Sequence, residues 1–145
     1  FHTILDRHSL SANSIILELT ESGYLETSQN VMNIWRNFKE IGVCIAMDDF
    51  GTGYSSLGML KNSPADVVKI DRTFVRDILT SQFDATFIHF VVALCHDVNI
   101  QVCLEGVERE EEFDRVRSMG LDFIQGFLFG KPVPPDVFER DFLMP

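Results

Sequence analysis

The chain has 145 residues, 46% of them apolar, and a formal net charge of −10. That length and apolar content fit one packed domain and exclude a disordered chain. The acidic balance and the lack of a basic tract argue against a binder of duplex DNA, which needs a basic face for the phosphates. A phosphate ligand is still compatible with it where bound metal inverts the local charge.

In chain order, the opening FHTILDRHSLSANS reads as the end of a helix and a loop, and Phe1, in place of an initiator Met, reads as a fragment or a processed product. SIILELTE (14–21) is a β-branched apolar run ending in acids and predicts the first strand. TSQNVMNIWRNFKEIG (27–42) predicts a helix, with Val31, Ile34, Trp35, Phe38 and Ile41 at helical spacing and Gly42 as its C-cap. VCIAMDD (43–49) is the second strand, and SSLGMLKNSP (55–64) a short helix stopped by Asn62, Ser63 and Pro64. ADVVKID (65–71) is the third strand and FDATFIHFVVALCHDVN (83–99) a helix with a broad apolar face. IQVCLEGVE (100–108) is the fourth strand; REEEFDRVRSMG (109–120) is a helix with acids in its first turn and Gly120 after it. LDFIQG (121–126) is a shorter fifth strand, and GKPVPPDVFERDFLMP a loop with a short final helix. Continuous apolar strands alternating with helices predict an α/β protein with a parallel sheet covered by helices.

The cysteines, Cys44, Cys95 and Cys103, are odd in number and lack CxxC spacing. That pattern suits free thiols in a reducing compartment, so a cytoplasmic location is expected. No apolar run approaches the length of a membrane span, and no membrane contact is expected from this segment.

Glu18, Asp48, Lys69, Glu105 and Gln125 each fall at or near the carboxyl end of a different strand, the edge where sites form in barrels and in open parallel sheets. Asp48 and Asp49 are adjacent, and like charges that close need water or a cation. Oxygen donors alone suit Mg²⁺ or Mn²⁺ better than Zn²⁺, and His2, His8, His89 and His96 lie in helix or loop segments away from these acids. Each residue alone has an ordinary explanation. An acid after a strand often caps a turn, which would account for Asp49. Lys69 and Asp71 could form a simple ion pair. Gly51-Thr52-Gly53 alone is a flexible turn and not a P-loop, because no Gly-Lys-Ser/Thr follows. Four successive strands ending in site-type charges favour a metal site.

The blocks LELTES, MDDFGTGYSSL, VVKIDRTFV, LEGVE and QGFLFGKPVP, in this order from about Ile15 to Pro134, resemble the signature blocks of the EAL domain, a family of bacterial phosphodiesterases that hydrolyse cyclic di-GMP to linear pGpG. The resemblance implies a (β/α)8-type barrel with one antiparallel strand, and two ions, Mg²⁺ or Mn²⁺, as cofactors. By position, Glu18, Asp48 and Asp49 resemble metal ligands, with Asp48 shared between the ions. Lys69 resembles the lysine that orients water or steadies charge, Glu105 the general base, and Gln125 the glutamine near metal-bound water. Glu21 resembles the residue that fixes the Asp-Asp loop, while Asp71 and Glu108 resemble accessory acids that capping or surface pairing would also explain. The segment with Gly51, Thr52 and Gly53 would be mobile, and a homodimer through the loop after Asp49 and adjacent helices is implied.

The family's naming Glu-Ala-Leu and an asparagine ligand are absent, and both are expected upstream of Phe1. Leu104 stands where alanine is usual, and Phe123 and Phe127 where tyrosines are common, which are volume or hydroxyl changes expected near the site. The expectation is therefore the C-terminal portion, about five βα units, of a TIM-like (β/α)8 barrel. Residues 1–145 would be the later part of one domain whose upstream part is absent, inactive as a phosphodiesterase by itself. The alternative is a non-catalytic module that binds cyclic di-GMP or docks a protein.

Overall fold

A computed structural model describes residues 2–20, 29–53, 60–61 and 63–143. Five strands, β1 (Ile16–Thr20), β2 (Cys44–Phe50), β3 (Val67–Ile70), β4 (Gln101–Leu104) and β5 (Phe123–Ile124), form one sheet in sequence order, every neighbouring pair parallel. The helices are α1 (His2–Arg7), α2 (Gln29–Glu40), α3 (Thr73–Arg76), α4 (Gln82–Asp97), α5 (Glu110–Val116) and α6 (Pro135–Phe138), with a 3₁₀ turn at Ala12–Ser14 and a π-helical turn at Glu139–Leu143. This is the alternation the sequence predicts. α3 was not anticipated; it is one turn long, below the length at which a periodic pattern can be read. The helix expected over 55–64 falls mostly outside the described residues; of its described positions, Leu60 and Lys61 are helical.

The sheet's two faces differ because side chains alternate along each strand. On the helix-covered face Val68, Ile70, Val102 and Leu104 are fully buried against Ile88, Val91 and Cys95 of α4, Val116 of α5, and Val75 and Ile78. Leu104 therefore belongs to this core. Its extra volume over alanine is absorbed between sheet and helices, which corrects the expectation of a change near the site.

Helix ends are fixed by local chemistry. Gly42, at φ +94°, closes α2 with the paired bonds Val43 N–H to Phe38 O (3.0 Å) and Gly42 N–H to Lys39 O (2.9 Å), a Schellman ending. Asn99, at φ +58°, closes α4 through Ile100 N–H to Cys95 O and Asn99 N–H to His96 O. Ser81 Oγ accepts the Asp84 N–H and starts α4. α2 buries Trp35 and half-buries Phe38 and Ile41, but Ile34 is exposed: it lies off the stripe defined by 35, 38 and 41. The cysteines are free thiols, and burial pushes Cys95 and Cys103 up to about 11, in keeping with small apolar packing. Among the described residues, no helix is long and apolar enough to cross a membrane.

Candidate active site

On the uncovered face the alternation builds two layers. Ala46, Val67 and Cys103 form a small buried floor. Two residues further along the same strands stand Asp48, Lys69 and Glu105. Lys69 is the centre of this rim: its Nζ lies 2.8 Å from Glu105 Oε1, 2.7 Å from Glu18 Oε1 and 3.1 Å from Asp48 Oδ1. Four strand ends thus converge on one ammonium group. Burial opposes the charge on Lys69, but the carboxylates of Glu105, Glu18 and Asp48 gathered around it outweigh this and hold the lysine well above its ordinary pKa. It is therefore a permanent cation at neutral pH.

The adjacent aspartates have a structural explanation that the sequence does not carry. In a regular strand Asp48 and Asp49 would point to opposite faces. The β2–β3 register instead slips between Met47 and Phe50: Met47 pairs with Val68 and Phe50 with Ile70, so two residues, Asp48 and Asp49, oppose the single Lys69. This is a β-bulge, a device that re-aims side chains beside active sites. Asp49 sits in the left-handed region at φ +57° and Gly51 at φ +98°. Thr52 tightens the turn, its N–H and Oγ1 both donating to the Asp49 carbonyl at 3.2 and 2.9 Å. Burial first, then Asp48 and Asp71, raises the Asp49 pKa, while Lys69 lowers it. The bulge thus brings a second carboxylate into the same field.

A cavity of about 860 Å³ opens over this rim, lined by Glu18, Lys69, Glu105, Glu108 and Gln125 together with Arg72, Lys131 and a set of phenylalanines. Gln125 is anchored through its backbone, its N–H donating to Leu104 O at 2.9 Å and its carbonyl accepting Val107 N–H at 3.1 Å. Gly126 next to it is required by close approach, since a Cβ there would strike the Val107 carbonyl. Phe123 and Phe127 line the cavity as expected, with Lys131 Nζ 5.5 Å over the Phe127 ring. Asp71 does not pair with Lys69: its Oδ1 accepts the Thr73 N–H at 2.9 Å and starts α3. Gly51 is packed against Phe74 and Phe87. Glu21, like residues 54–59, lies outside the described residues. His96 lies apart from the rim; its Nε2 is 2.9 Å from Asp122 Oδ2.

Sequence reasoning assigned no role to Arg72 and Lys131, the cavity's additional cations. The overall negative charge masked them; a search for basic residues just beyond the strand-end acids would have found Arg72, while Lys131 lies six residues after Gln125, too far from a strand end for that signal. In the sequence Glu112 is one of three first-turn acids and carries no further signal. It is buried, and its Oε2 accepts the N–H groups of Glu108 and Arg109 at 2.9 and 3.1 Å while Arg109 Nε donates to Oε1, which ties the segment after Glu105 to α5.

The donor set fits a hard divalent cation in kind, being all oxygen. Asp48 Oδ1 adds a specific sign: it is buried, with no hydrogen bond of good geometry, although Lys69 lies at ion-pair distance. A buried carboxylate oxygen in that state is suited to accept a cation. Among the described residues, no three acid, His or Cys side chains stand in a metal-holding arrangement; the lysine draws the carboxylates together instead.

Parallel strands with a charged rim at their carboxyl ends define an α/β protein with its site at one sheet edge. Within that class the chain belongs to the EAL domain family, whose model matches residues 1–132. The cyclic di-GMP phosphodiesterase PdeR of Escherichia coli is 40% identical over 126 residues, which are 87% of this chain and 19% of that protein. The structure of the Pseudomonas aeruginosa MucR phosphodiesterase in complex with c-di-GMP is 39% identical with a TM-score of 0.84, over 93% of this chain and 55% of that one. BlrP1 of Klebsiella pneumoniae, solved with manganese and cyclic di-GMP, is 33% identical with a TM-score of 0.83, over 90% of this chain and 34% of that one; it has also been solved with calcium. The chain spans about a fifth of the length of the curated relatives it matches. The five parallel strands and their helices match this fold, as a partial barrel.

Proposed function

We propose that this chain supplies the later half of the active site of a bacterial, cytoplasmic, metal-dependent phosphodiesterase that hydrolyses cyclic di-GMP to pGpG. The observation that carries the reading is the convergence of Glu18, Asp48 and Glu105 from three strands on the Lys69 ammonium of a fourth. Glu18, Asp48 and Asp49 would hold two divalent ions, Mg²⁺ or Mn²⁺. Such ions, when bound, neutralise the phosphodiester and lower the pKa of coordinated water. Glu105, with one oxygen on Lys69, accepts the water's proton at its carboxylate. Lys69 and Arg72 offset the charge that gathers on the phosphate oxygens. Gln125 and Glu108 orient the ligand from the cavity wall, and Asp71 shapes the turn beside them. Glu21 and the Gly51–Gly53 segment position the aspartates, and a second copy docks through that segment and its neighbouring helices.

Residues 1–145 would act as part of a single barrel domain. β1 and β5 pair on one side only among the described residues, so further strands would complete the wall around the cavity. The test is to supply Mn²⁺ and cyclic di-GMP to the full natural polypeptide and follow pGpG by chromatography. Turnover is expected, with kcat falling about 10²–10⁴-fold in Glu105→Gln, and little or none from the 145-residue chain alone. Failure of the full polypeptide to make pGpG would reject the assignment.

One observation favours a second reading, a module that binds cyclic di-GMP without cleaving it: three rim acids already have a cation, Lys69, at their centre. Calorimetric titration of the full polypeptide with the dinucleotide separates the two, since tight metal-free binding without product supports the module.

A further inference from the structure

We infer that Phe74 and Phe87 are positioning residues that hold the Asp48–Asp49 bulge in its working shape; the link to metal rests on the reading proposed above. Nothing in their type or position marks them as site residues, and neither lines the cavity. Their rings are stacked, with centroids 4.1 Å apart and planes 11° from parallel. Phe87 also faces Phe50, the residue after the aspartate pair, at 6.5 Å and 27°. Gly51 lies directly on this stack: a Cβ built there would come within 2.5 and 2.8 Å of Phe74 ring carbons and 3.1 Å of Phe87. The backbone leaving the bulge therefore presses against an aromatic platform.

The platform is itself fixed from two sides. Asp71 starts α3 by accepting the Thr73 N–H, which places Phe74 one residue into that helix. Phe87 belongs to α4, whose buried face is locked into the core through Ala85, Ile88, Val91, Val92 and Cys95. The Asp71 N–H also donates to the Phe50 carbonyl at 3.3 Å, so β3's exit clamps the same peptide from its other side. Left-handed backbone at Asp49 is costly for a non-glycine residue and persists only where the surroundings over-determine it. The Phe74–Phe87 stack, Gly51 and the Thr52 bonds are those surroundings. The chain of contacts runs from the α4 core through Phe87, Phe74 and Gly51 to the carboxylates. Phe83, 73% exposed, continues it outward at 6.5 Å from Phe87.

The experiment compares Phe87→Leu, the conservative Phe87→Tyr, and Val116→Ala as a control of matched destabilisation on α5, all in the full natural polypeptide. Two readouts are taken: amide exchange across residues 48–53 without metal, and Mn²⁺ affinity by calorimetry. Phe87→Leu is expected to speed exchange in that segment and weaken Mn²⁺ binding about tenfold, Phe87→Tyr to restore both, and Val116→Ala to lower thermal stability with neither change. Unchanged exchange in Phe87→Leu, or equal changes in the control, overturns the inference. Faster exchange in Phe87→Leu with no Mn²⁺ binding by the unmodified protein upholds the positioning role and rejects the metal reading instead.

Discussion

The two faces of the same five strands obey opposite rules. Toward the helices, every inward position from Val68 to Leu104 is apolar and sealed, and the polar backbone is consumed by the sheet. Toward the cavity, the equivalent positions carry Glu18, Asp48, Lys69 and Glu105 over a thin floor of Ala46, Val67 and Cys103, with Ile16 and Phe123 exposed on the two edge strands. One face supplies stability and the other spends part of it on crowded charge. The contrast teaches that the site's accuracy comes from behind: the rim residues are held by strands whose other face cannot move without opening the core.

The sharpest break in this division would come from Leu104→Ala. Leu104 is fully buried and one residue before Glu105, yet its side chain points to the sealed face. The substitution should cost about 2–5 kcal/mol by urea unfolding, while Mn²⁺ affinity of the folded protein changes little. A loss of affinity larger than the loss of stability would mean that the faces are not separable.

Lys69→Met tests the other face and should cost about 2–3 kcal/mol. Asp48 and Glu105 side chains are only 20% and 19% exposed, so removing their cation leaves uncompensated charge. Glu18, at 50% exposure, is screened by water and contributes little. Because three carboxylates would then lack a partner, saturating Mn²⁺ should recover much of the lost thermal stability. A variant as stable as the parent, and indifferent to Mn²⁺, would show that the rim is not a strained charge cluster.

Much of this division was legible in the sequence. Uninterrupted apolar runs ending in acids located β1 to β4 and put Glu18, Asp48, Lys69 and Glu105 on one edge, because a parallel sheet aligns its carboxyl ends. The EAL blocks added the family. What stayed hidden depended on register and on neighbours distant in sequence. Period-two alternation places Asp48 and Asp49 on opposite faces, and only the slip against Val68 and Ile70 sets both opposite the single Lys69. α4 is apolar on nearly every side, so the pattern could not tell that Ile88 is sealed while Phe83 and Phe90 face outward. Phe74 and Phe87 look like any core aromatics until Gly51 is seen lying on them.

Glu112 gives the smallest effect and lies where the two faces meet, since it ties the segment carrying Glu105 and Glu108 to the core helix α5. Burial raises its pKa, but the N–H groups of Glu108 and Arg109 and the Arg109 side chain more than offset this, so the carboxyl titrates below its ordinary value of 4.5. For an acid with a depressed folded-state pKa, the stabilisation is complete above the unfolded value and disappears as pH falls through the folded one. Glu112→Gln keeps an acceptor for the two N–H groups but loses the charge-assisted bonds to Arg109. It should therefore cost about 1–2 kcal/mol at pH 7 and almost nothing once the pH lies below both values. The check is the urea midpoint of parent and variant at pH 7 and at successively lower pH. If the two curves stay parallel throughout, the carboxylate's charge does not hold the Glu105 segment, and its anchoring must come from the Val107 and Gln125 backbone bonds alone.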